Sequence, residues 1–192
     1  TWMPVDLYVG GAEHATRHLL YARFWHKFLY DIKVVSTKEP FKKLVHVGLI
    51  LAEDGRKMSK RWNNVINPND VIEKFGADSI RLYEMFMGPF TQSVAWSTDG
   101  IKGTRKFLEK IWKFQNKLGS VVDKKVTSLT HKTIKKVGQD IENFRFNTAV
   151  SAMIILANDT DKLEQVSSED YEIFLKILSP FAPHITEELW EK

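Results

Sequence analysis

The sequence predicts an α/β region followed by an all-α helical bundle. Two glycines, Gly10 and Gly11, separate a short β-prone run from a helical pattern, and a second apolar run over 44–51 is rich in Val, Leu and Ile. A strand that ends on glycines before a helix is the arrangement of an α/β nucleotide site. From about residue 100 onward, apolar residues recur at helical spacing. We therefore expect two domains, at residues 1–92 and 93–192 of the 192-residue chain.

The elements of the α/β region follow from its glycines and turn residues. A helix is expected over 12–29, directly after the two glycines, and the apolar run over 44–51 is expected to form one strand. Asp54 and Gly55 favour a two-residue type I′ hairpin turn. Residues 56–59 should then return beside that strand.

Capping residues predict where the next helices begin and end. Asn67 and Pro68 are typical of an N-cap and the first residue of a helix, which we expect to end near Gly76. A second helix should begin near Asp78 and end before residues 88–89, a Gly-Pro pair. The helices expected in the second domain are 100–118, 125–143, 147–159, 168–178 and 186–192.

The composition is that of a globular protein, because 43% of the residues are hydrophobic and 27% are charged. The apolar runs are too short to span a bilayer. There is no cysteine, which excludes disulfides and Cys-ligated zinc and fits a reducing compartment. We expect a cytoplasmic protein without membrane association. Because the chain starts at Thr1 rather than at a methionine, we also expect a piece of a longer protein.

The net charge is +4, and its positive residues are concentrated between residues 100 and 125. Five lysines there recur at spacings of 4, 4, 3 and 4, which places them in one stripe of a helix. These lysines are Lys102, Lys106, Lys110, Lys113 and Lys117. Such a stripe can contact phosphates in a sequence-independent, salt-sensitive way. A solubilising helix face is the alternative.

The most specific chemical signal is the run Lys57-Met58-Ser59-Lys60, which follows the predicted hairpin. Two ammonium groups on flexible stems can follow negative charge as it develops on a pyrophosphate leaving group. Ser59 adds a hydroxyl and a backbone N–H. A solvated basic loop is the alternative interpretation of this run taken alone.

A second signal is the segment from Gly10 to His18. Glycines allow a ligand to approach the backbone closely, and the helix N-terminus that follows offers free N–H groups. Glu13 is placed to accept hydrogen bonds from ribose hydroxyls. His14 and His18 are four residues apart, so they should share one face of the predicted helix. Surface or core histidines with no functional role are the alternative.

Several segments resemble class I aminoacyl-tRNA synthetases. Residues 57–60 resemble the KMSKS signature of that family, with Arg61 in place of the final Ser. Residues 8–24 resemble the adenosine-binding segment of the leucyl enzymes. Residues 83–89 and 96–101 resemble runs that are characteristic of the same leucyl enzymes, whereas residues 76–78 are shared with the isoleucyl and valyl enzymes.

The resemblance implies the second half of a Rossmann-type catalytic domain, then an anticodon-binding-type helical domain. The parent enzyme would activate leucine with ATP to leucyl-adenylate and transfer it to tRNA(Leu), acting as a monomer. Mg²⁺ is expected with ATP, but no residue is an evident ligand. The HIGH half of the ATP site and the editing insertion would lie upstream, so the chain alone is not expected to aminoacylate.

The resemblance also assigns roles to individual residues. Lys57 and Lys60 would stabilise the departing pyrophosphate, and His14 and His18 would line the leucyl-adenylate pocket. The residues expected to bind ATP are Gly10, Gly11, Glu13, His14, Val47, Met58, Ser59 and Lys60. The residues expected to bind tRNA are the five lysines of the stripe.

Two other functions fit parts of the sequence. A stand-alone RNA-binding helical module would use the N-terminal region only as a scaffold. A metal-dependent hydrolase could use Glu13, His14 and His18, since metalloproteases also carry histidines four residues apart. Here the Glu precedes both histidines and no third ligand follows, so we expect no metal site.

Overall fold

The structure, a computed structural model, describes residues 2–192 and contains two compact units. The first comprises the chain up to residue 49 together with residues 91–93. The second comprises residues 50–90 and 94–192. The predicted domains 1–92 and 93–192 stay a prediction. The two compact units are defined by spatial contacts, so they do not test where domains divide along the sequence.

The first unit is built from two parallel strands joined through a helix. Strand β1 (Tyr8–Gly11) is followed by a 3-10 helix (Ala12–Thr16), helix α1 (His18–Asp31) and strand β2 (Leu44–Val47). The two strands pair in parallel over their whole length, so that Gly11 lies opposite Val47. A parallel pair with a crossover helix is the unit from which α/β folds are made, as the sequence predicts.

Two details of the first unit differ from the prediction. The helix expected over 12–29 does not start as one α-helix, because Arg17 has φ −126° and ψ −103° and separates the 3-10 turn from α1. The strand expected over 44–51 is also wrong, because it is interrupted after Val47. Residues 50 and 51 instead form strand β3 of the second unit.

The second unit begins with β3 (Ile50–Leu51), which pairs in parallel with β4 (Val94–Ala95). Helices α2 (Pro68–Phe75) and α3 (Ala77–Phe86) lie between these strands in the sequence. The Asn67 side chain accepts a hydrogen bond from the backbone N–H of Asn69, which confirms the predicted N-cap.

The hairpin turn at residues 52–56 is not the predicted type I′. A type I′ turn needs positive φ at both central residues, but Gly55 has φ +75° and Asp54 does not share it. The Gly55 N–H donates to the Ala52 carbonyl, and the Ala52 N–H donates to the Arg56 carbonyl. This pattern is a three-residue hairpin loop in which the left-handed Gly55 follows a tight turn. The predicted return of 56–59 is reduced to one antiparallel bridge between Leu51 and Lys57.

The rest of the second unit is a helical bundle, as predicted. Its helices are α4 (Thr98–Phe114), α5 (Lys124–Glu142), α6 (Phe146–Asp161), α7 (Ser168–Leu178) and α8 (Pro183–Glu191). A 3-10 turn (Gln115–Lys117) extends α4, and a short parallel pair, β5 (Leu118–Gly119) with β6 (Val166–Ser167), was not predicted. No helix of the described residues is both long and apolar enough to cross a membrane.

Helix α3 is fixed to the bundle by both apolar and polar contacts. Leu82 is fully buried in the bundle core with Phe114 and Phe181. The Arg81 guanidinium donates to the carbonyl oxygens of Pro180 and Phe181 at 2.9 and 3.2 Å. Fully burying a Leu side chain contributes about 1.5–3 kcal/mol. These contacts explain why α3 joins the bundle in one compact unit.

Candidate active site

The glycine turn of the first unit (Gly10 and Gly11) lies at the end of β1, where Glu13 folds back over it. A Cβ built on Gly11 would lie 2.2 Å from a carboxylate oxygen of Glu13. A side chain at this position would therefore displace the Glu13 carboxylate. Gly11 is paired with Val47 across the two strands, so three of the predicted ATP-binding residues are brought together.

The two predicted pocket histidines lie near each other, although they do not share one continuous helix. His14 belongs to the 3-10 turn and His18 is the first residue of α1, and their ring centroids are 6.4 Å apart. The Tyr8 hydroxyl lies 2.9 Å from Nδ1 of His18, and the two rings are stacked. The Nδ1 atom of His14 is buried and has no hydrogen-bond partner among the described residues. His14 therefore has an unused polar atom, while His18 is oriented by Tyr8.

The signature loop of the second unit (residues 57–60) is held at its base by Asn64. The Asn64 side chain accepts a hydrogen bond from the Ser59 N–H at 2.8 Å and donates to the Lys57 carbonyl at 3.5 Å. Met58 packs against a small buried cluster that includes Tyr83 and Trp96. The loop backbone is thus attached to the body of the unit at two of its four residues.

The two lysines of the signature loop are free to act on a ligand. Lys57 and Lys60 are both exposed, and neither has an ion pair recorded with any residue from 2 to 192. Two neighbouring cations are engaged instead, since the guanidinium groups of Arg56 and Arg61 lie 5.0 and 5.2 Å from the Trp62 ring centroid. The loop therefore presents two unpaired ammonium groups next to an aromatic ring that carries two further cations.

The lysine stripe on α4 is only partly available to a partner. Lys102 pairs with Asp99 on its own helix at 2.7 Å. Lys110 and Lys117 both pair with Asp161 of α6, at 3.3 and 3.7 Å. The two members with no ion pair recorded in the described chain are Lys106 and Lys113. The stripe thus contributes to α4–α6 packing as well as to the surface charge.

The glycine turn and the signature loop lie in different compact units. Their approach to one nucleotide stays a prediction. Among the described residues, no group of three His, Cys, Asp or Glu side chains is placed to hold a metal ion. The sequence analysis assigned no role to Asn64. The signal that could have identified it is an amide side chain shortly after the signature run in the sequence.

Comparison with known protein families identifies the class. The family model "tRNA synthetases class I (I, L, M and V)" matches residues 2–97, which is half of the chain. The model "Anticodon-binding domain of tRNA ligase" matches residues 123–192. The chain therefore belongs to the class I tRNA synthetases and carries an anticodon-binding domain.

Solved structures show which members of that class are similar to this chain. A LeuRS of Agrobacterium radiobacter K84, solved as a ternary complex with tRNA and LeuAMS, is 33% identical with a TM-score of 0.88. The match covers 98% of this chain and 27% of the LeuRS chain. A Mycobacterium tuberculosis methionyl-tRNA synthetase in complex with methionyl-adenylate is 18% identical with a TM-score of 0.71, covering 99% of this chain and 44% of its own. The similarity to the methionyl enzyme shows a shared fold alone. The chain spans about a quarter of the leucyl enzyme and less than half of the methionyl enzyme.

Proposed function

We propose that this chain is part of a leucyl-tRNA synthetase and supplies the pyrophosphate side of its ATP site. The observation that carries the proposal is the signature loop, where Lys57 and Lys60 are exposed and have no ion pair with residues 2–192, on a backbone held by Asn64. The reaction is leucine plus ATP giving leucyl-adenylate and pyrophosphate, followed by transfer of leucine to tRNA(Leu). Because the chain covers 27% of the similar LeuRS, the reaction is assigned to a protein that contains it.

In the proposed mechanism, Lys57 and Lys60 act on the leaving group. As the bond from the α-phosphorus to the bridging oxygen breaks, negative charge accumulates on the pyrophosphate. An ammonium group placed at that charge lowers the barrier more than it stabilises bound ATP. Loss of one such donor costs on the order of 10²–10³ in rate. Mg²⁺ is expected to arrive with the ATP phosphates, whose charge it would share with the two lysines.

The adenosine side of the site is proposed for the glycine turn. The Glu13 carboxylate would accept hydrogen bonds from the ribose hydroxyls once it leaves its position over Gly11. The backbone near Val47 would contact the adenine, with Gly10 leaving room for the nucleotide. His14 and His18 would line the leucyl-adenylate pocket. The buried Nδ1 of His14, which has no hydrogen-bond partner in the part of the chain that the structure describes, supports that role.

Leucine is the proposed amino acid, because the 33% identity to a LeuRS extends over almost the whole chain. The experiment is a calorimetric titration of the chain with LeuAMS and with the corresponding methionyl analogue. We expect the leucyl analogue to bind at least about tenfold more tightly, as one pocket contact of about 1.4 kcal/mol would give. Equal affinity for both analogues would contradict leucine specificity, and absence of binding by both would contradict the nucleotide site.

Matched variants test the glycine turn and the signature loop separately in the same titration. Glu13→Gln and Lys60→Ala should each weaken analogue or pyrophosphate binding. Lys38→Ala, a change at an exposed lysine of the first unit, should leave both unchanged. If Lys60→Ala binds pyrophosphate as the unchanged chain does, Lys60 has no role in leaving-group stabilisation.

A stand-alone RNA-binding module is the second candidate, and it is favoured by the anticodon-binding domain over residues 123–192. It predicts tRNA binding that is unaffected by ATP and by Lys60→Ala. The synthetase proposal also includes tRNA contact by the stripe on α4, where Lys106 and Lys113 have no ion pair recorded among residues 2–192. The two candidates therefore differ in their response to ATP rather than in RNA binding.

A further inference from the structure

The second unit contains a cavity of about 590 Å³ that the proposed function does not use. Its lining comes from the end of α2, the first turn of α3, the middle of α4 and the start of α8. The volume lies in the range of small-molecule sites. None of the lining residues belongs to the glycine turn or to the signature loop.

The apolar part of the lining suits an aromatic or aliphatic body. Leu108 is buried, while Phe75 and Ile185 are half-buried. The Trp112 side chain is 37% exposed, and Nζ of Lys192 lies 4.0 Å from its ring centroid. An aromatic ring gains both area burial and a favourable ring geometry against such a side chain. The cavity can therefore bury an apolar group in contact with Trp112.

The polar part of the lining is the first turn of α3. Its N-cap, Gly76, offers no side chain to cap the helix, and the first bond of the helix runs from the Ile80 N–H to the Gly76 carbonyl. The N–H groups of Ala77, Asp78 and Ser79 come before that bond, and no acceptor is recorded for them among residues 2–192. Free N–H groups at a helix N-terminus attract an anion.

Ser79 gives an independent indication of a ligand at this turn. It is fully buried and lines the cavity, and its hydroxyl has no hydrogen-bond partner among the described residues. A buried polar group without a partner is destabilising and rare in native proteins. Because this hydroxyl is closed to water, it would reach a ligand by moving to another staggered rotamer. An anionic oxygen at the turn would supply the partner that it lacks.

A guanidinium group lies beside the same turn. A Cβ built on Gly76 would lie 3.6 Å from an Nη atom of Arg105, and that atom donates to the Phe75 carbonyl at 3.4 Å. An arginine next to free N–H groups strengthens the attraction for a carboxylate.

The charges of the lining favour a ligand with a single negative charge. Each lining carboxylate already has a partner, and the pairs are Asp78 with His184, Glu109 with Arg105 and Glu188 with Lys192. Lys113, also a member of the stripe on α4, is the one lining cation without an ion pair recorded in the described chain. One extra negative charge is thus balanced, whereas a second would be repelled by three carboxylates.

We propose that this cavity binds a small carboxylic acid with an apolar, preferably aromatic, body. The carboxylate accepts from the first-turn N–H groups of α3 and from the Ser79 hydroxyl, beside Arg105. The body lies against Trp112 and Leu108. A phosphate ester or a nucleic-acid backbone fits less well, because it brings more negative charge and less apolar surface. The site goes beyond the proposed function, since it requires neither ATP nor tRNA.

The probe is 3-phenylpropionate, titrated into the full 192-residue chain and followed by NMR and calorimetry. The dissociation constant should be on the order of 1 mM, as expected for a ligand of this size. The backbone amide signals of Ala77, Asp78 and Ser79 should shift on binding. The neutral analogue 3-phenylpropionamide and the dianion phenyl phosphate should each bind at least about tenfold more weakly.

Two variants test the polar contacts. Ser79→Ala and Arg105→Gln should each weaken binding of 3-phenylpropionate about tenfold or more, because each removes a donor to a charged group. Lys135→Gln is the matched control for loss of one positive charge, since this exposed lysine of α5 lies outside the lining. Ser79→Ala removes a buried hydroxyl that lacks a partner, so its melting midpoint should not fall. Should Arg105→Gln melt earlier than the unchanged chain, Ser79→Ala alone decides.

Three results would overturn the proposal. The first is a titration in which no amide of the first turn of α3 shifts. The second is equal affinity for the carboxylate and its neutral amide, which would leave an apolar cavity with no anion site. The third is binding by Ser79→Ala as tight as that of Lys135→Gln. Tighter binding of phenyl phosphate than of 3-phenylpropionate would likewise show that the ligand class is wrong.

Discussion

Replacing Asn64 with alanine should release the signature loop without unfolding the second unit. The Asn64 amide forms hydrogen bonds with the backbone of Ser59 and of Lys57. Alanine removes both hydrogen bonds and leaves the Ser59 N–H, which is part-buried, without its acceptor. The attachments that remain are the antiparallel bridge between Leu51 and Lys57, the bond from the Trp62 N–H to the Ser59 carbonyl, and the packing of Met58 against the Tyr83 and Trp96 cluster.

The size of the effect follows from these two bonds. The bond to the Ser59 N–H is 2.8 Å long, whereas the bond to the Lys57 carbonyl is 3.5 Å long and contributes little. Leaving a buried donor unpaired costs about 1–3 kcal/mol. Because Ser59 is only half-buried, water can replace part of the bond, so about 1–1.5 kcal/mol is expected. That corresponds to a roughly tenfold larger population of the open loop.

The assay is amide hydrogen exchange at Ser59, which reports opening of the loop directly. The exchange rate of this amide should rise about tenfold in Asn64→Ala. Asn64→Asp keeps the acceptor oxygen, so it should retain most of the protection. Asn69→Ala is the matched control, since no hydrogen bond is recorded for that exposed side chain among the described residues. Trypsin cleavage after Lys57 and Lys60 should accelerate in parallel.

Two outcomes would refute this reasoning. Unchanged Ser59 exchange in Asn64→Ala would mean that the Leu51–Lys57 bridge and packing hold the loop backbone without the Asn64 amide. Equal acceleration in Asn69→Ala would mean that the effect comes from general loosening of residues 57–75 rather than from the Asn64 amide.

Three further perturbations address other parts of the molecule. Gly48→Ala should lower the free energy of unfolding by about 1–3 kcal/mol in urea, because its Cβ would lie 1.9 Å from the backbone oxygen of Gln92; an unchanged midpoint would contradict the close approach. Asp78→Ala should lower the free energy of unfolding by about 1–3 kcal/mol, and with it the thermal midpoint. The reason is that this buried carboxylate accepts from two N–H groups in the first turn of α8. The control Asp70→Ala, at an exposed acid, should shift the midpoint less. The hydrogen bond from the Arg23 guanidinium lowers the pKa of the Glu39 carboxyl to about 2 from its ordinary 4.5. This ion pair therefore stabilises the fold above about pH 4.5 and loses that effect as the pH falls toward 2. In an NMR titration of Arg23→Gln, the pKa of Glu39 should return toward its ordinary value. An unchanged Glu39 pKa in this variant would rule out the pairing.

The sequence predicted best those features that depend on neighbouring residues. The cap at Asn67, the end of α2 at Gly76 and the helices of the bundle lie within a few residues of their expected positions. Each of these is set by local turn chemistry and by hydrophobic spacing. The lysine stripe likewise follows from spacing alone.

The features that the sequence did not predict depend on distant residues. The strand over 44–51 is interrupted at Gly48, where the backbone of Gln92 and Ser93 comes close. The availability of Lys110 and Lys117 is set by Asp161 on another helix. Periodicity places residues on a face, but it does not say which oppositely charged groups lie across from them.

The departure from the family signature at Arg61 has a physical explanation in the same loop. Arg61 contacts the signature loop through its backbone, because the Arg61 N–H donates to the Ser59 hydroxyl at 3.2 Å. A backbone donor is present whatever the side chain is, so replacing Ser by Arg preserves it. The Arg61 guanidinium is directed to the Trp62 ring instead, together with Arg56, which Asp54 holds by an ion pair. The substitution therefore adds charge beside the two free lysines while leaving the hydrogen bond at Ser59 intact.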